Sequence, residues 1–273
     1  MWVRLGLMGH EVDALVAASA GLRLGEELTE YLRDEGERKV YDQPAAFTAF
    51  VRGGGNVELY ERLSDALAAG YDETKPDALL DVGCGDGLAV VPALDRAQHA
   101  PLRVDLVEPS EALLKDAKKG VPGAQAWQMT AQEFFARDDE QRWDAAQATF
   151  SLQSVVPEDR PSVLKAFRER ATRLTIAEFD VPVYVEGTPE HLVSMVKRYE
   201  RGITEYGADA SLVAQGFLLP VLLGQITPSV ARTNWEQPAA KWVEQLEAAG
   251  FTNIEIEPLA DYWWAPAVLI KAA

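Results

Sequence analysis

The sequence predicts a doubly wound α/β protein with a mostly parallel, seven-stranded sheet and a helical cap. Three observations lead to this fold class. Short apolar runs alternate with helical patterns from residue 78 onward, a glycine-rich turn follows the first run, and the alternation stops at residue 181 and resumes near residue 237. Strands that alternate with helices are typical of a parallel sheet covered by helices.

Seven segments have the length and composition of strands, and helical patterns separate most of them. The predicted strands are 78–83, 102–108, 124–129, 143–150, 174–180, 251–259 and 261–272. The helical patterns lie at 88–97, 110–119, 131–137, 159–172 and 237–250. Gly250 closes the last of these helices and fits a C-terminal cap, since glycine adopts the left-handed conformation that commonly ends a helix.

The segments outside the alternation are predicted to be helical. Residues 10–35 and 57–70 repeat apolar side chains at helical spacing, and a long amphipathic segment precedes the apolar stretch GFLLPVLLG at 216–224. The predicted organisation has four parts: an N-terminal helical lid or cap at 1–74, a core at 75–180, a helical cap insertion at 181–234, and a return to the core at 235–273.

The composition limits the partners and the compartment. The formal net charge is −17, which argues against a nucleic-acid partner because binding to the phosphate backbone needs clustered positive charge. Cys84 is the single cysteine, so no intrachain disulfide can form and a reducing compartment is expected. Charges interrupt the apolar N-terminus, and GFLLPVLLG is too short to span a bilayer. We therefore expect a cytoplasmic monomer or homodimer with no membrane partner.

Two glycine clusters compete for the role of a ligand-binding turn. LLDVGCGDG at 79–87 lies between a predicted strand and a predicted helix, whereas FVRGGGNVELY at 50–60 follows no strand. Glycines after a strand permit a tight turn and a close approach of a ligand to the backbone. The spacing G-x-G-x-G differs from the G-x-G-x-x-G of dinucleotide-binding turns, which favours a ligand without a pyrophosphate.

Glu108 provides a second signal. It ends the second predicted strand, 21 residues after Gly87, where a carboxylate can accept hydrogen bonds from both hydroxyls of a ribose. At these residues the chain resembles the Rossmann-like, class I S-adenosylmethionine-dependent methyltransferases, and it is similar to small-molecule methyltransferases of bacterial specialised metabolism. The resemblance covers roughly 75–180 and the two C-terminal strands. It implies an enzyme that uses S-adenosylmethionine and releases S-adenosylhomocysteine.

The resemblance also implies a cofactor site at the ends of the first four strands and in the lid. Its residues are Tyr41, Asn56, Asp81, Gly83, Cys84, Gly85, Glu108, Pro109, Ser110, Thr130, Ala131, Gln132, Phe150 and Ser151. By this resemblance the methionine part lies at Asp81 and the glycine turn, the ribose at Glu108, and the adenine beside Pro109 and Ser110. Thr130 stands where the family often has an Asp, and Gln153 stands where some members have a His.

The segment VYDQPAAFTAFVRGGGN is expected to form the lid, with Tyr41 and Asn56 nearest to the ligand and the glycines as a hinge. The alternative is an ordinary loop between helices that Asn56 caps. Cys84 is expected to be an unreactive turn residue, because no His lies near it in the sequence.

Three residues are candidate catalytic groups: Glu178, Tyr184 and His191. Glu178 and Asp180 lie at the carboxyl end of the fifth predicted strand, and ligands bind at the carboxyl ends of the strands in such sheets. His191 opens a predicted cap helix and could equally be a surface residue.

The expected acceptor is a small, aromatic or apolar molecule methylated on oxygen, nitrogen or carbon, such as a phenol or an indole. This follows from the aromatic residues of the insertion, which could also be core. The scattered His residues and single Cys predict no metal site. The open alternatives are a catalytically silent protein that binds the cofactor or a partner, a peptide or protein methyltransferase, and a nicotinamide dehydrogenase.

Overall fold

The computed structural model describes residues 10–33, 44–137, 140–185, 187–226 and 234–273. The chain divides into two compact units. The core unit comprises Glu58–Pro182, Asn234–Asp261 and Pro266–Ala273, and the helical unit comprises Met1–Val57, Val183–Thr233 and Tyr262–Ala265.

The core unit contains a seven-stranded, mostly parallel sheet, as the sequence predicted. Its strands are β1 Ala78–Val82, β2 Arg103–Val107, β3 Gln125–Trp127, β4 Trp143–Thr149, β5 Ala171–Phe179, β6 Glu255–Ala260 and β7 Ala267–Ala272. The strand order is β3-β2-β1-β4-β5-β7-β6, in which β7 is antiparallel to both neighbours. The chain reverses its winding direction between β1 and β4, and ligands of such sheets bind at the carboxyl ends of the strands beside this switch point.

The helices occur close to the predicted segments. In the helical unit they are α1 His10–Ala18, α2 Arg23–Arg33 and α3 Pro44–Arg52; α4 Gly55–Thr74 then crosses the division at residue 57. The core unit has α5 Val90–Arg96, α6 Glu111–Gly120, α7 Ala131–Phe135 and α8 Arg160–Arg170. The later helices are α9 Pro189–Thr204, α10 Ala210–Val213, α11 Leu219–Ile226 and, in the core unit, α12 Ala239–Ala248.

Apolar side chains of the central strands and of two helices form the main core of the sheet. Leu80, Ala148 and Ile176 project from β1, β4 and β5 into a cluster that includes Phe167 of α8 and Trp242 of α12, all at most 2% exposed. Central parallel strands are covered on both faces, which explains their nearly continuous apolar sequence. The C-terminal cap that was predicted for the last helix is also present, since Gly250 follows α12 with φ = +93°.

Several predicted segments differ from the structure. The pattern at 10–35 is two helices, α1 and α2, separated by a turn at Gly21 with φ = +81°. The lid segment contains a helix, α3, which the sequence analysis did not predict. The helical unit ends at Val57 and not at residue 74, so most of α4 belongs to the core unit.

The last predicted strand, 261–272, is too long at its start. The strand β7 begins at Ala267, and Tyr262–Ala265 belongs to the helical unit. Trp263 packs there against Gly202, where an added Cβ would lie 2.7 Å from the indole ring. An apolar run at a strand boundary cannot be distinguished from a buried loop by its composition alone.

The apolar stretch GFLLPVLLG lies in a longer helical run than the sequence indicated. Gly207–Ile226 combines a 3₁₀ turn, α10, a π-helical turn at Ala214–Leu218, and α11. By length and composition alone this 20-residue run, with a mean hydropathy of 1.4, could cross a membrane, although half of its apolar window is buried inside the structure. Leu218 and Leu222 are among its buried side chains, and a buried helix of a globular protein meets the same criteria.

Candidate functional site

The glycine turn after β1 forms the centre of the candidate site. Gly83, Gly85 and Gly87 have φ values of +74°, +56° and +85°, a region that side chains disfavour and glycine adopts freely. The amides of Gly83 and Cys84 donate to the carbonyl of Val107 over 2.7 and 3.1 Å. These bonds fasten the turn to the carboxyl end of β2.

Gly83 and Gly85 differ in how much free space lies beside their backbone. An added Cβ at Gly83 would lie 2.3 Å from the Ser151 Cβ, and the Ser151 hydroxyl donates to the Val82 carbonyl over 2.8 Å. At Gly85, no described residue other than its chain neighbours Cys84 and Asp86 has an atom within 4 Å of an added Cβ. Gly83 is therefore required for packing against the segment after β4, while Gly85 presents open backbone to a ligand.

Glu108 connects the glycine turn with the start of α6. Its carboxylate is 8% exposed and accepts hydrogen bonds from the amides of Gly85 and Ser110 at 3.2 and 2.9 Å. The Ser110 hydroxyl in turn accepts from the amide of Leu113 and caps α6. Each carboxylate oxygen can accept more than one hydrogen bond, so Glu108 retains capacity for hydroxyl groups of a ligand.

Asp81 is a buried acid opposite Gln147 in the register of β1 and β4. Neither Asp81 carboxylate oxygen has a hydrogen-bond partner in the described part of the chain, and neither does the Gln147 Nε2. The Tyr71 hydroxyl donates to the Gln147 Oε1 over 2.5 Å. Burial raises the pKa of Asp81 to about 7; the nearby Gln147 amide lowers it and the Glu108 charge raises it. A buried polar group without partners is costly, which makes Asp81 a natural contact for a ligand donor.

The predicted adenine-edge segment has partners within the protein. Thr130 forms a capping box with Glu133, in which the hydroxyl of Thr130 accepts from the Glu133 amide and the Glu133 carboxylate accepts from the Thr130 amide. The Gln132 side chain donates to Asp159 over 3.2 Å. The capping box positions Ala131 at the start of α7. A role for these residues beside an adenine stays a prediction.

Phe150 follows β4 in an unusual backbone conformation. Its φ is +52°, and its ring stacks on Phe179 with a centroid distance of 4.6 Å. The Tyr60 and Phe150 rings pack in a T-shaped arrangement with a centroid distance of 6.1 Å. The Phe150 amide donates to the Ala177 carbonyl over 2.8 Å. Non-glycine residues are uncommon in this region, so this segment is held firmly.

Both acids at the carboxyl end of β5 accept backbone N–H groups. Glu178 is 1% exposed and accepts from the amide of Gln153 over 3.1 Å, and the Asp180 side chain accepts from the amide of Ala239 over 2.8 Å. Burial raises the pKa of Glu178 to about 8, although hydrogen bonds from the backbone and the Arg160 charge lower it. Burial likewise raises the pKa of Cys84 strongly, which fits an unreactive thiol.

Two further candidate catalytic residues lie together in the helical unit. The rings of Tyr184 and His191 have centroids 6.0 Å apart, and the guanidinium of Arg198 lies 5.7 Å from the Tyr184 centroid. The His191 Nδ1 accepts from the Gly187 amide over 3.3 Å. Tyr184 is exposed and His191 partly exposed, so both are accessible. Their part in catalysis stays a prediction.

Asn56 is part of a buried network. It lies in the first turn of α4, and its Nδ2 donates to the carbonyl of Phe50 and the hydroxyl of Tyr206 at 2.8 and 3.1 Å. Its Oδ1 accepts from the Tyr262 hydroxyl over 3.0 Å. Asn56 therefore joins three segments of the helical unit, and the alternative in which it caps a helix is wrong because α4 begins at Gly55. Tyr41 lies outside the described residues.

The three consecutive glycines provide space for an aromatic ring. An added Cβ at Gly54 would lie 2.7 Å from the Tyr206 Cζ, and one at Gly53 would lie 3.4 Å from the same ring. The Gly55 amide donates to the Glu205 carboxylate over 3.1 Å. The glycine run therefore has a packing function in the structure, whereas a hinge function stays a prediction.

Gln147 and Tyr71 are residues of the candidate site that the sequence analysis missed. One signal was present, since Gln147 is the polar residue of the central strand segment AAQAT. A polar side chain in a strand covered on both faces requires a buried partner. Tyr71 lies at a helical position among apolar residues and gave no such signal.

Comparisons with known proteins agree with this geometry. Residues 80–173 match the family described as a methyltransferase domain, and no curated protein matches the chain significantly. The apo S-adenosylmethionine-dependent methyltransferase SibL is 15% identical with a TM-score of 0.55, over 96% of this chain and 73% of SibL. The mitomycin 7-O-methyltransferase MmcR is 16% identical with a TM-score of 0.52, over 92% of this chain and 67% of MmcR.

A protein from Bordetella parapertussis, described as a possible exported protein, is 13% identical to this chain. The match has a TM-score of 0.56 and covers 98% of this chain and 94% of that one. At such identities the structural matches establish the fold alone.

Proposed function

We propose that this protein, which carries a methyltransferase domain over residues 80–173, transfers the methyl group of S-adenosylmethionine to a small aromatic or apolar acceptor. The observation that carries the proposal is the open backbone at Gly85, between the unpartnered Asp81 and the carboxylate of Glu108. These groups follow β1 and β2 at the switch point of the sheet, where ligands of such folds bind.

The residues present fit this cofactor. Neither carboxylate oxygen of the buried Asp81 has a hydrogen-bond partner among the described residues. The ammonium group of the methionine part is a cationic donor that would lower the pKa of Asp81 from about 7. The open side of Gly85 leaves room for a chain beside the backbone. Glu108 has acceptor capacity for ribose hydroxyls. The turn has no pyrophosphate-type spacing, which disfavours a nicotinamide cofactor.

Partly exposed aromatic rings of the helical unit support a small, apolar acceptor. Phe50 stacks on Phe217 with a centroid distance of 4.1 Å, and Phe47 lies 5.5 Å from Phe217. Phe217 belongs to the π-helical turn, a feature that often occurs at functional sites. Apolar and aromatic walls with few polar groups are typical of small-molecule sites. MmcR, described as a mitomycin 7-O-methyltransferase, has a fold of the same kind.

The protein's contribution to the chemistry is mainly positioning. When bound, the cofactor supplies a methyl group on a sulfonium, which is already activated toward a nucleophile. Asp81 would hold the methionine part of the cofactor and Glu108 its ribose, and the glycine turn would lie against the chain between them. Orientation of this kind can account for much of a rate enhancement. A base is needed only for an acceptor that must lose a proton, and Tyr184, His191 and Glu178 are the proposed candidates.

Calorimetric titration of S-adenosylhomocysteine into the purified protein tests the cofactor. We expect binding in the micromolar range and no binding of NADH, the control ligand. Binding of NADH alone would replace the proposal with a dehydrogenase, and binding of neither would remove the cofactor site.

A panel of phenol, indole and amine acceptors tests the reaction through the release of S-adenosylhomocysteine, with a peptide mixture as the comparison. We expect turnover with a member of the small-molecule panel. Methylation confined to peptides would overturn the small-molecule acceptor. Binding of the cofactor without turnover on any acceptor would favour the catalytically silent alternative.

A further inference from the structure

We propose that Glu178 is a positioning residue that holds the turn after β4, residues 150–155, in the shape that the cofactor site requires. The inference rests on the proposed function, because the turn carries Phe150 and Ser151 of the candidate cofactor site. It gives Glu178 a different role from that of a base that takes a proton from the acceptor.

The first observation is what the carboxylate binds. Glu178 accepts from the amide of Gln153 over 3.1 Å, and the nearby backbone of Leu152 lowers the pKa of its carboxyl group. Leu152–Ser154 forms a 3₁₀ turn, and the first N–H groups of a helical turn have no partner inside it. The Ser151 side chain makes no capping hydrogen bond to this turn, and its hydroxyl donates instead to the Val82 carbonyl. Glu178, on the neighbouring strand β5, therefore accepts an N–H group of the kind that a capping side chain at the start of a helical turn accepts.

A buried cation holds the carbonyl groups of the same turn. Arg160 is 2% exposed and donates to the carbonyls of Val155 at 3.0 Å and Gln153 at 3.4 Å, and to the carbonyl of Trp235. Its charge also lowers the pKa of Glu178. The turn is thus held on its N–H side by the carboxyl group of Glu178 and at its carbonyls by a cation.

The residues held by this arrangement belong to the cofactor site. Phe150 has φ = +52°, and a non-glycine residue in this region persists only where the surroundings determine it. The Gln153 side chain donates to the Phe150 carbonyl over 3.1 Å, which links the turn to this conformation. Ser151 packs directly on Gly83. Loosening the turn would therefore displace a wall of the glycine turn.

A glutamine separates the two roles of Glu178. Its amide oxygen can accept the same backbone N–H groups, whereas a neutral amide cannot take a proton from an acceptor. The test compares Glu178→Gln and Glu178→Ala with a control, Asp144→Ala. Asp144 also accepts two backbone N–H groups, those of Asp77 and Ala78 at 3.0 and 2.9 Å, but it does so at the opposite edge of the sheet.

The first readout is the affinity for S-adenosylhomocysteine. We expect Glu178→Gln to remain within about threefold of the parent protein and Glu178→Ala to lose about tenfold or more, because the alanine leaves a buried N–H group without its acceptor. Asp144→Ala should leave the affinity unchanged. Equal losses in the two Glu178 variants, or no loss in either, would overturn the inference, as would a Glu178→Gln variant that binds normally but has no turnover.

The second readout is hydrogen exchange of the amides in residues 150–155, measured without any ligand. We expect faster exchange in Glu178→Ala, near-parent exchange in Glu178→Gln, and no change there in Asp144→Ala. If Glu178→Ala does not fold, Glu178→Gln alone still tests the inference. Faster exchange in residues 150–155 or a loss of affinity for S-adenosylhomocysteine in this variant would contradict it. A parent protein that fails to bind S-adenosylhomocysteine would refute the proposed function, while the exchange result would still decide whether Glu178 holds the turn.

Discussion

Asp81 and Gln147 lie opposite each other on adjacent parallel strands, and neither carboxylate oxygen of Asp81 nor the Nε2 of Gln147 has a hydrogen-bond partner among the described residues. Tyr71 fixes the other end of the Gln147 amide. The pair is buried beside the glycine turn, with each side chain 1% exposed. Buried polar groups without hydrogen-bond partners destabilise a fold, so where they occur we expect them to serve a function such as ligand binding.

Asp81→Asn should stabilise the protein without ligand at pH 8 and weaken its binding of S-adenosylhomocysteine. The pKa of Asp81 is raised from 3.8 to about 7 by burial, so the folded state holds its proton more tightly than the unfolded state. The stability from this group is fully present below pH 3.8 and is lost as the pH rises to about 7. Urea unfolding should show a gain of up to about 4 kcal/mol at pH 8 and none near pH 4.

The control for this prediction is Asp95→Asn, which makes the same substitution at an exposed position of α5. It should not change the pH dependence of the unfolding free energy. If Asp81→Asn leaves both this pH dependence and the affinity unchanged, Asp81 is not the ionisable contact of the cofactor.

Tyr71→Phe should destabilise the core unit by about 1–3 kcal/mol. The substitution removes the donor to the Gln147 Oε1 and leaves a buried acceptor unsatisfied. A double-mutant cycle with Gln147→Leu isolates the interaction, because the loss from Tyr71→Phe should largely disappear once the amide is absent. Strictly additive losses in thermal or urea unfolding would show that the two side chains are not coupled.

Glu108→Ala should weaken the binding of S-adenosylhomocysteine about ten- to hundredfold, since hydrogen bonds to a charged group contribute about 1.5–3 kcal/mol. Part of the loss has a structural origin, because the Gly85 amide also loses its acceptor. Calorimetry of Glu111→Ala, which removes an exposed acid three residues later in α6, controls for the change in net charge. A change below twofold in Glu108→Ala would remove this residue from the site.

The sequence was sufficient for the parts of the fold that depend on local pattern. The strand LLDV, its glycine turn and Glu108 follow one another within a single unit of strand, helix and strand. Their spacing predicts two neighbouring parallel strands, and it places a candidate ligand site at the carboxyl ends of these strands. Partners distant in sequence could not be predicted. Trp263 was assigned to a strand because it lies in an apolar run. Its burial depends on packing against Gly202, and no local pattern links these two residues.

The same limit applies to the site. Glu178 could be placed at the end of a strand, because the apolar run before it is clear. Its partners could not be inferred, because the amide of Gln153 reaches it only through the pairing of β4 with β5. A carboxylate at that position is compatible with catalysis or with holding a turn, and the choice depends on hydrogen bonds that the sequence does not contain.

Gly54→Ala should destabilise the helical unit more than Gly207→Ala, although both glycines have φ = +52°. Each substitution introduces the strain of a side chain in the left-handed region, about 1–2 kcal/mol. An added Cβ at Gly54 also meets the Tyr206 ring at 2.7 Å, whereas, apart from its chain neighbours Tyr206 and Ala208, no described residue lies within 4 Å of one at Gly207. The difference in unfolding free energy between the two variants therefore reports the packing of Tyr206. It should shrink when Tyr206→Ala is combined with each, because the ring that the new methyl group meets is then absent. An unchanged difference would mean that the glycine run does not serve to accommodate this ring.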